Sequence, residues 1–268
     1  MSSSYENSAG GTSIHPTVIL GKNIELGRGV SIGPYAIIGD GVKLGDGVWV
    51  GAHAAITGNT TVGEKTKIHS FASIGSDPQD LKYKGEPTQL VIGKNNNIRE
   101  YVNISLGTVT GGGITRIGDN NLIMVYSHIA HDCHVGNNCI LANSVHLAGH
   151  IHVEDNVVFG GMAGGHQFCR FGKLSMIGAG SIVVQDVAPY TLVQGDHAET
   201  KGLNVVGLRR AGVTGKNLKT LKDAFKMVFR DNLGLEQAAQ KAYDELPASA
   251  EKSHFLEFLK ATKRGICR

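Results

Sequence analysis

An aliphatic side chain recurs at every sixth position through most of this sequence. The anchors are Ile14, Leu20, Leu26, Ile32, Ile38, Leu44, Val50, Ile56, Val62, Ile68 and Ile74. They resume at Ile92, Ile98 and Ile104, and again from Ile117 through Ile123, Ile129, Val135, Leu141, Leu147, Val153 and Phe159. Gly165 fills one slot before Phe171, Ile177 and Val183 complete the series. A fixed short period marks one structural unit stacked many times, each unable to bury its apolar side alone. The fifth place of each hexad tests this, because residues two apart on an extended chain share a face and a second inward residue must fit there. It holds Val18, Ile24, Val30, Ala36, Val42 and Val48 early in the chain, and Ser127, Cys133, Cys139, Val145, Ile151 and Val157 later. Cys169 takes another such place, so three of the four cysteines are expected in the core.

The period breaks twice. Residues 75–91 (GSDPQDLKYKGEPTQLV) lose it, and residues 109–116 (VTGGGITR) shift its phase by one. Both are expected as loops thrown out from a rigid scaffold, where function often sits. After residue 190 the spacing becomes helical. Leu218, Leu221, Phe225 and Val228 share one face, with Gly234 as a stop; Leu235 to Leu246 form a second helix before Pro247, and residues 250–264 a third. The expected organisation is a disordered tail over 1–13, a repeat domain over 14–190 and a helical domain over 191–268.

Composition narrows the class. Aromatic residues make up 6% of the chain while glycine occurs 37 times, so the core is aliphatic and the turns are tight. The glycines lack a collagen period, and no apolar run is long enough for a membrane helix. The start, MSSSYENSAGGTS, lacks the basic and apolar segments of a signal peptide, so a cytoplasmic location is expected. The formal net charge of +3 is unevenly placed. Between Lys201 and Arg230 lie eight basic residues and one acid, Asp223, a local net of +7.

The hexads resemble those of the hexapeptide-repeat family, whose chains wind as a left-handed parallel β-helix with three hexads per coil. That resemblance implies an all-β left-handed parallel β-helix of between eight and nine coils, with a small C-terminal α-helical domain. With 18 residues per coil, Cys133 and Cys169 are about 10 Å apart, too far for a disulfide. The same arithmetic places the histidines, seven of which fall between 128 and 166. His131, His150 and His166 belong to hexads 18 residues apart and share one prism face. Gly149, 18 residues after His131, is expected directly beside it. His128 stacks with His146, and His134 with His152; polar surface is the plainer reading of these two pairs. Zinc-binding hexapeptide-repeat carbonic anhydrases use two histidines five residues apart, a spacing missing from this cluster, so no metal is expected. A histidine general base is the remaining chemistry. Asp132 could orient His131, although neighbours on an extended chain tend to point apart.

Five blocks carry a closer resemblance: HIAHDCHVGNNCILAN, LAGHIHVEDN, GGMAGGHQF, PQDLKYKGEPT and GDHAETKGLNVVGLRR. Together they are similar to the UDP-N-acetylglucosamine O-acyltransferase family, which begins lipid A synthesis. The resemblance implies acyl transfer from an acyl-carrier-protein thioester to the glucosamine 3-hydroxyl, without a cofactor. His131 matches the general base, with Asp132 beside it, and Gly149 matches the glycine whose N–H stabilises the oxyanion. His128, His150, His166 and Gln167 match residues lining the cleft. Gln79, Asp80 and Lys82 match loop residues that reach the nucleotide sugar and acyl chain. Asn204 and Arg210 match contacts to the substrate and pantetheine arm, and His197 matches a further family position. The chain departs from the family at Ser105-Leu106, where many relatives carry His-Arg, and at Ala211, where many carry a second Arg.

Ala179 stands at a position that limits acyl length in relatives and is often Gly there. It lies 48 residues beyond His131, about 13 Å along the prism, which accommodates roughly ten to twelve carbons. The ridge Lys219, Lys222, Lys226 and Arg230 lies opposite the apolar face of its helix and suits docking of an acidic carrier protein. A homotrimer is expected, with neither nucleic acid nor membrane insertion. Two competing readings fit less well. The related N-acyltransferase carries a uridine-binding domain before its repeat, whereas here the repeat starts by Ile14. A non-enzymatic scaffold gives no reason for the histidine face, the two loops or the basic helix.

Overall fold

Each hexad folds as a two-residue strand followed by a tight corner, as in Ser31–Ile32, Ile37–Ile38 and Lys43–Leu44 of this computed structural model. Residues 6–8, 11–231 and 233–268 are described. Three strands complete a coil, and strands 18 residues apart pair in parallel, Ser31 with Trp49 and Ile37 with Ala55. Among the described residues this gives three sheets, of 12, 9 and 8 strands, wrapped as a parallel β-helix.

The core lies inside the prism and is built as the period requires. Anchors such as Ile32, Ile68, Ile104 and Ile129 are fully buried, and so are the fifth-place residues Val30, Ala36, Cys133 and Val145. Polar residues survive in fifth places because each finds a carbonyl: Thr66 Oγ1 donates to Gly93 O at 2.9 Å and Ser127 Oγ to Ala142 O at 3.0 Å. The four cysteines are free and buried. Burial pushes the Cys133 thiol up to about 12, so it carries no thiolate nucleophile at neutral pH. Leu20 departs from the pattern at 45% exposed, because its strand, Ile19–Leu20, is the edge of its sheet among the described residues.

Both loops are shorter than the lost period suggests, because their flanks stay in the sheets. Strands Ser73–Ser76 and Gln89–Ile92 confine the first loop to 77–88, and Ile114–Ile117 pairs along its full length with Gln89–Ile92. The tail expected to be disordered through residue 13 is corrected at Glu6–Ser8, which pairs antiparallel with Thr12–Ile14. Residues 1–5, 9 and 10 lie outside the described residues. The boundary at 190 is also corrected. Thr191–Gln194 continues the largest sheet, pairing in parallel with Met176–Ile177, and Glu199–Leu203 adds an antiparallel edge.

Four helices follow: α1 Val205–Arg210, α2 Gly215–Phe229, α3 Leu235–Glu245 and α4 Ala250–Lys260. Their core joins Leu221, Ala224, Ala238, Ala242 and Phe255 to Leu174 and Tyr190 of the prism end. Polar contacts pin this layer. His254 of α4 faces Glu154 at 3.0 Å and Tyr190 Oη at 2.9 Å, while Arg170 lies 4.2 Å over the Phe258 ring. Lys252, buried beside them, donates to three carbonyls at the end of α3.

Candidate active site

The strands His128–Ile129, His146–Leu147 and Gly164–Gly165 pair in register, so His128, His146 and Gly164 line up outward across one sheet. At the next corner His131 and Gly149 occupy equivalent turn positions. A Cβ on Gly149 would fall 2.6 Å from His131 Cε1 and 2.9 Å from Nε2. Only glycine lets the imidazole lie there. These residues line a cleft of about 510 Å³ with Gln79, Ala130, Ala148, His166, Gln167, Ile182 and Val184.

The corner geometry also resolves the direction of Asp132. Asp132 sits at φ +60°, in the left-handed region, which turns its side chain back beside that of its neighbour. His131 Nδ1 is 2.8 Å from Asp132 Oδ2. The carboxylate is inaccessible to solvent and accepts the Thr108 N–H at 2.8 Å and the Thr108 hydroxyl at 2.6 Å. A buried carboxylate so placed keeps the imidazole proton on Nδ1 and leaves Nε2 as a lone-pair acceptor. His150, at φ +62°, lies edge-on to His131 at 5.1 Å, stacks on Phe168 at 4.4 Å and puts Nδ1 3.8 Å from Asp132.

Nitrogen and oxygen atoms of His131, Asp132 and His150 lie within 4.8 Å of one another, a spacing that could suit a cation. The Asp132 oxygens are already engaged by Thr108 and His131, which is the pattern of an oriented base. His128 Nδ1 is fixed by Asn103 Oδ1 at 2.7 Å. Burial, reinforced by His146 and His131, lowers the His128 pKa, and burial likewise lowers that of His150 despite Asp132 nearby. Both rings are held towards their neutral forms.

Other residues from the sequence reading scatter. Gln79 reaches the cleft, while Asp80 accepts the Lys82 N–H at 2.9 Å and Lys82 is exposed on the loop. Asn204 caps α1, its Oδ1 accepting the Gly207 N–H and its Nδ2 donating to Leu174 O, and Arg210 ends the same helix. His197 is exposed beside Asp196. Ala179 packs at a different corner, against Gly160, outside the lining of the His131 cleft. One chain therefore does not gather Asn204, Arg210, His197 or Ala179 around His131. The ridge residues Lys219, Lys222 and Lys226 are exposed on α2, with Arg230 at its end. Ser105 and Leu106 are buried, so these departures from the family alter packing and not surface charge.

Four further residues contribute to the site. His146 lines the cleft, and its register with His128 was the available signal. Thr108 and Thr115 hold Asp132, within and beside the phase-shifting loop. Arg264 folds back from the chain end to within 3.3 Å of His166 Nδ1, and no local pattern foretells that contact.

Known proteins resemble this chain over most of its length. The bacterial transferase hexapeptide model matches residues 114–149, and that for domain 2 of UDP N-acetylglucosamine O-acyltransferase matches residues 186–267. The chain is 48% identical over 202 residues to the acyl-(acyl-carrier-protein)–UDP-N-acetylglucosamine O-acyltransferase of Anaeromyxobacter sp., covering 75% of this chain and 79% of that one. To the enzyme of the same name from Myxococcus xanthus it is 49% identical over 204 residues, 76% and 79% of the two chains. The crystal structure of UDP-N-acetylglucosamine O-acyltransferase from Moraxella catarrhalis superposes with a TM-score of 0.92 at 42% identity, over 95% of this chain and 99% of that one. The Arabidopsis UDP-N-acetylglucosamine acyltransferase does so with 0.84 at 38%, over 95% and 100%. Related to these proteins over most of its length, the chain belongs to the hexapeptide-repeat family of acyl-carrier-protein-dependent UDP-N-acetylglucosamine O-acyltransferases.

Proposed function

We propose that this enzyme transfers a 3-hydroxyacyl chain from acyl carrier protein to the 3-hydroxyl of UDP-N-acetylglucosamine, the first step of lipid A synthesis, with His131 as general base. The carrying observation is the His131 ring, oriented by Asp132 through Nδ1 and laid against Gly149 in the cleft. His131 Nε2 removes the proton of the sugar hydroxyl as its oxygen attacks the thioester carbonyl. The tetrahedral oxyanion accepts the Gly149 N–H. Collapse breaks the carbon–sulfur bond, and the pantetheine thiolate leaves with the proton from the imidazolium. No cofactor enters this balance. His128, His150, His166 and Gln167 present polar edges to sugar and phosphates, and Gln79, Asp80 and Lys82 approach from the loop. Asn204, Arg210 and His197 act from a neighbouring copy.

Mass spectrometry of products formed from a mixture of acyl-carrier-protein thioesters and UDP-N-acetylglucosamine tests this directly. The expected product is a 3-O-acyl sugar nucleotide with an acyl chain of about ten to twelve carbons, set by the height along the prism between His131 and Ala179, the latter contributed, like Arg210, by a neighbouring copy. Ala179→Gly removes a methyl from the end of the acyl groove and shifts preference to longer chains. An unchanged chain preference in that variant would remove Ala179 from the ruler. No acylated sugar nucleotide from any donor would remove the function.

A further inference from the structure

The phase shift between Ile104 and Ile117 brings a tight turn against Asp132, and the chemistry of that turn is specific. Thr108 is 4% exposed and gives each Asp132 oxygen its own donor, the N–H to Oδ1 at 2.8 Å and the hydroxyl to Oδ2 at 2.6 Å. The direction of the second bond is fixed. Thr108 Oγ1 accepts the Gly111 N–H at 3.2 Å, and an ionised carboxylate has only acceptors to offer, so the hydroxyl proton points at Asp132. Gly111 closes the other side of the carboxylate, since a Cβ there would fall 2.0 Å from Asp132 Cγ. Thr115 Oγ1 accepts the Asp132 N–H at 2.8 Å and secures the left-handed backbone. With both oxygens separately held, rotation of the carboxylate breaks at least one bond.

We infer that Thr108 is a positioning residue of the acyl transfer, locking the Asp132 carboxylate so that it receives the His131 Nδ1 proton and leaves Nε2 facing the cleft. The inference deepens the reading of His131 as base and rests on it. Thr108 meets no substrate in this role; it acts through Asp132. Loss of its hydroxyl has two consequences of definite sign. The carboxylate loses a donor that disperses its charge, so it attracts a protonated imidazole more strongly and the acid limb of kcat/KM moves to higher pH. The carboxylate also gains freedom and orients the ring less well, which lowers kcat and leaves KM for the sugar nucleotide unmoved.

The test compares Thr108→Val, Thr108→Ser and Gly111→Ala in the full chain, measuring kcat, KM and the pH profile with an acyl-carrier-protein donor, and melting temperature beside them. Thr108→Val is expected to lower kcat by about 10–100-fold with KM for UDP-N-acetylglucosamine within about twofold and the acid limb raised. Thr108→Ser keeps the hydroxyl and restores kcat to within about threefold. Gly111→Ala displaces the same carboxylate by steric contact and lowers kcat in the same direction. Wild-type kcat and an unmoved acid limb in Thr108→Val would overturn the inference. Equal losses in Thr108→Val and Thr108→Ser with the limb unmoved would also overturn it, as packing alone. If Thr108→Val fails to fold, Gly111→Ala decides, and wild-type kcat there overturns it. His131→Ala separates the two levels. Should that variant stay active, the base reading itself falls, whereas an inactive His131→Ala beside an unimpaired Thr108→Val removes only Thr108.

Discussion

His131 and Gly149 meet because one coil is 18 residues long, and that contact lays the imidazole against the wall of the cleft. His131→Ala removes the nitrogen proposed to take the hydroxyl proton. It leaves Asp132 with both Thr108 donors, so the expected stability loss is only about 1–2 kcal/mol. Turnover at saturating substrates should fall far below a tenth of wild type. A variant retaining more than that tenth, a barrier change under about 1.4 kcal/mol, would contradict the general-base role. At this scale the sequence was legible where register decides position and illegible where local backbone does. The stacking of His128 on His146 and of His131 on Gly149 follows from counting. The turn of Asp132 towards His131 depends on a positive φ at a turn position that holds His150 in the next coil, and Tyr35, His53, Phe71, Tyr101 and Tyr126 at another corner, so no residue type announces it. Thr108 was hidden for a different reason: it reaches Asp132 across 24 residues of chain, through a loop whose only visible feature was a broken period.

Among the elements, α2 carries the clearest division of labour. Leu218, Leu221, Phe225 and Val228 are buried while Lys219, Lys222 and Lys226 stay exposed on the other face. Arg230 already lies 6.0 Å from the Phe225 ring and donates to Lys201 O, so the freer charges are the three lysines. Reversing Lys222 and Lys226 to Glu is expected to raise KM several-fold for the carrier-bound donor, leave KM for the sugar nucleotide unchanged, and flatten the salt dependence. Kinetics independent of salt in the unaltered enzyme would remove carrier docking at this ridge. The hexads themselves were legible to within a residue or two, because a buried residue at every sixth position cannot tolerate slippage. Elements beyond the repeat were less so. Thr191–Gln194 escaped notice because Val193 pairs with Ile177 across 16 residues instead of 18. The six residues of α1 are too few to show a helical period, and the structure defines its start through the Asn204 cap.

The whole chain leaves its cleft open on one side. The lining runs from Gln79 to Val184, while Asn204, Arg210 and His197 stand elsewhere on the same chain. Large apolar side chains are also exposed on the prism, among them Ile37, Trp49, Met162, Met176 and Ile182, and Ile182 belongs to the cleft wall. Stacked aromatic rings from Tyr35 through His53, Phe71 and Tyr101 to Tyr126 extend along one edge, with centroids about 5 Å apart. An edge of this kind, with apolar residues on the two sheets that flank it, is suited to a second copy, and a contact between two different surfaces of the same chain closes as a ring when the rotation permits. Three chains would then form three clefts, each with His131 from one chain and Arg210 from the next. Light scattering should give three times the chain mass, and the shared cleft makes a sharper prediction. His131→Ala and Arg210→Ala each disable every cleft when pure, yet chains of the two kinds refolded together form some clefts in which neither change is present. Recovered activity in the mixture is the expected result. A monomeric mass with full activity, or a mixture as inactive as its components, would place Arg210 outside the cleft and leave the single chain to complete its own site.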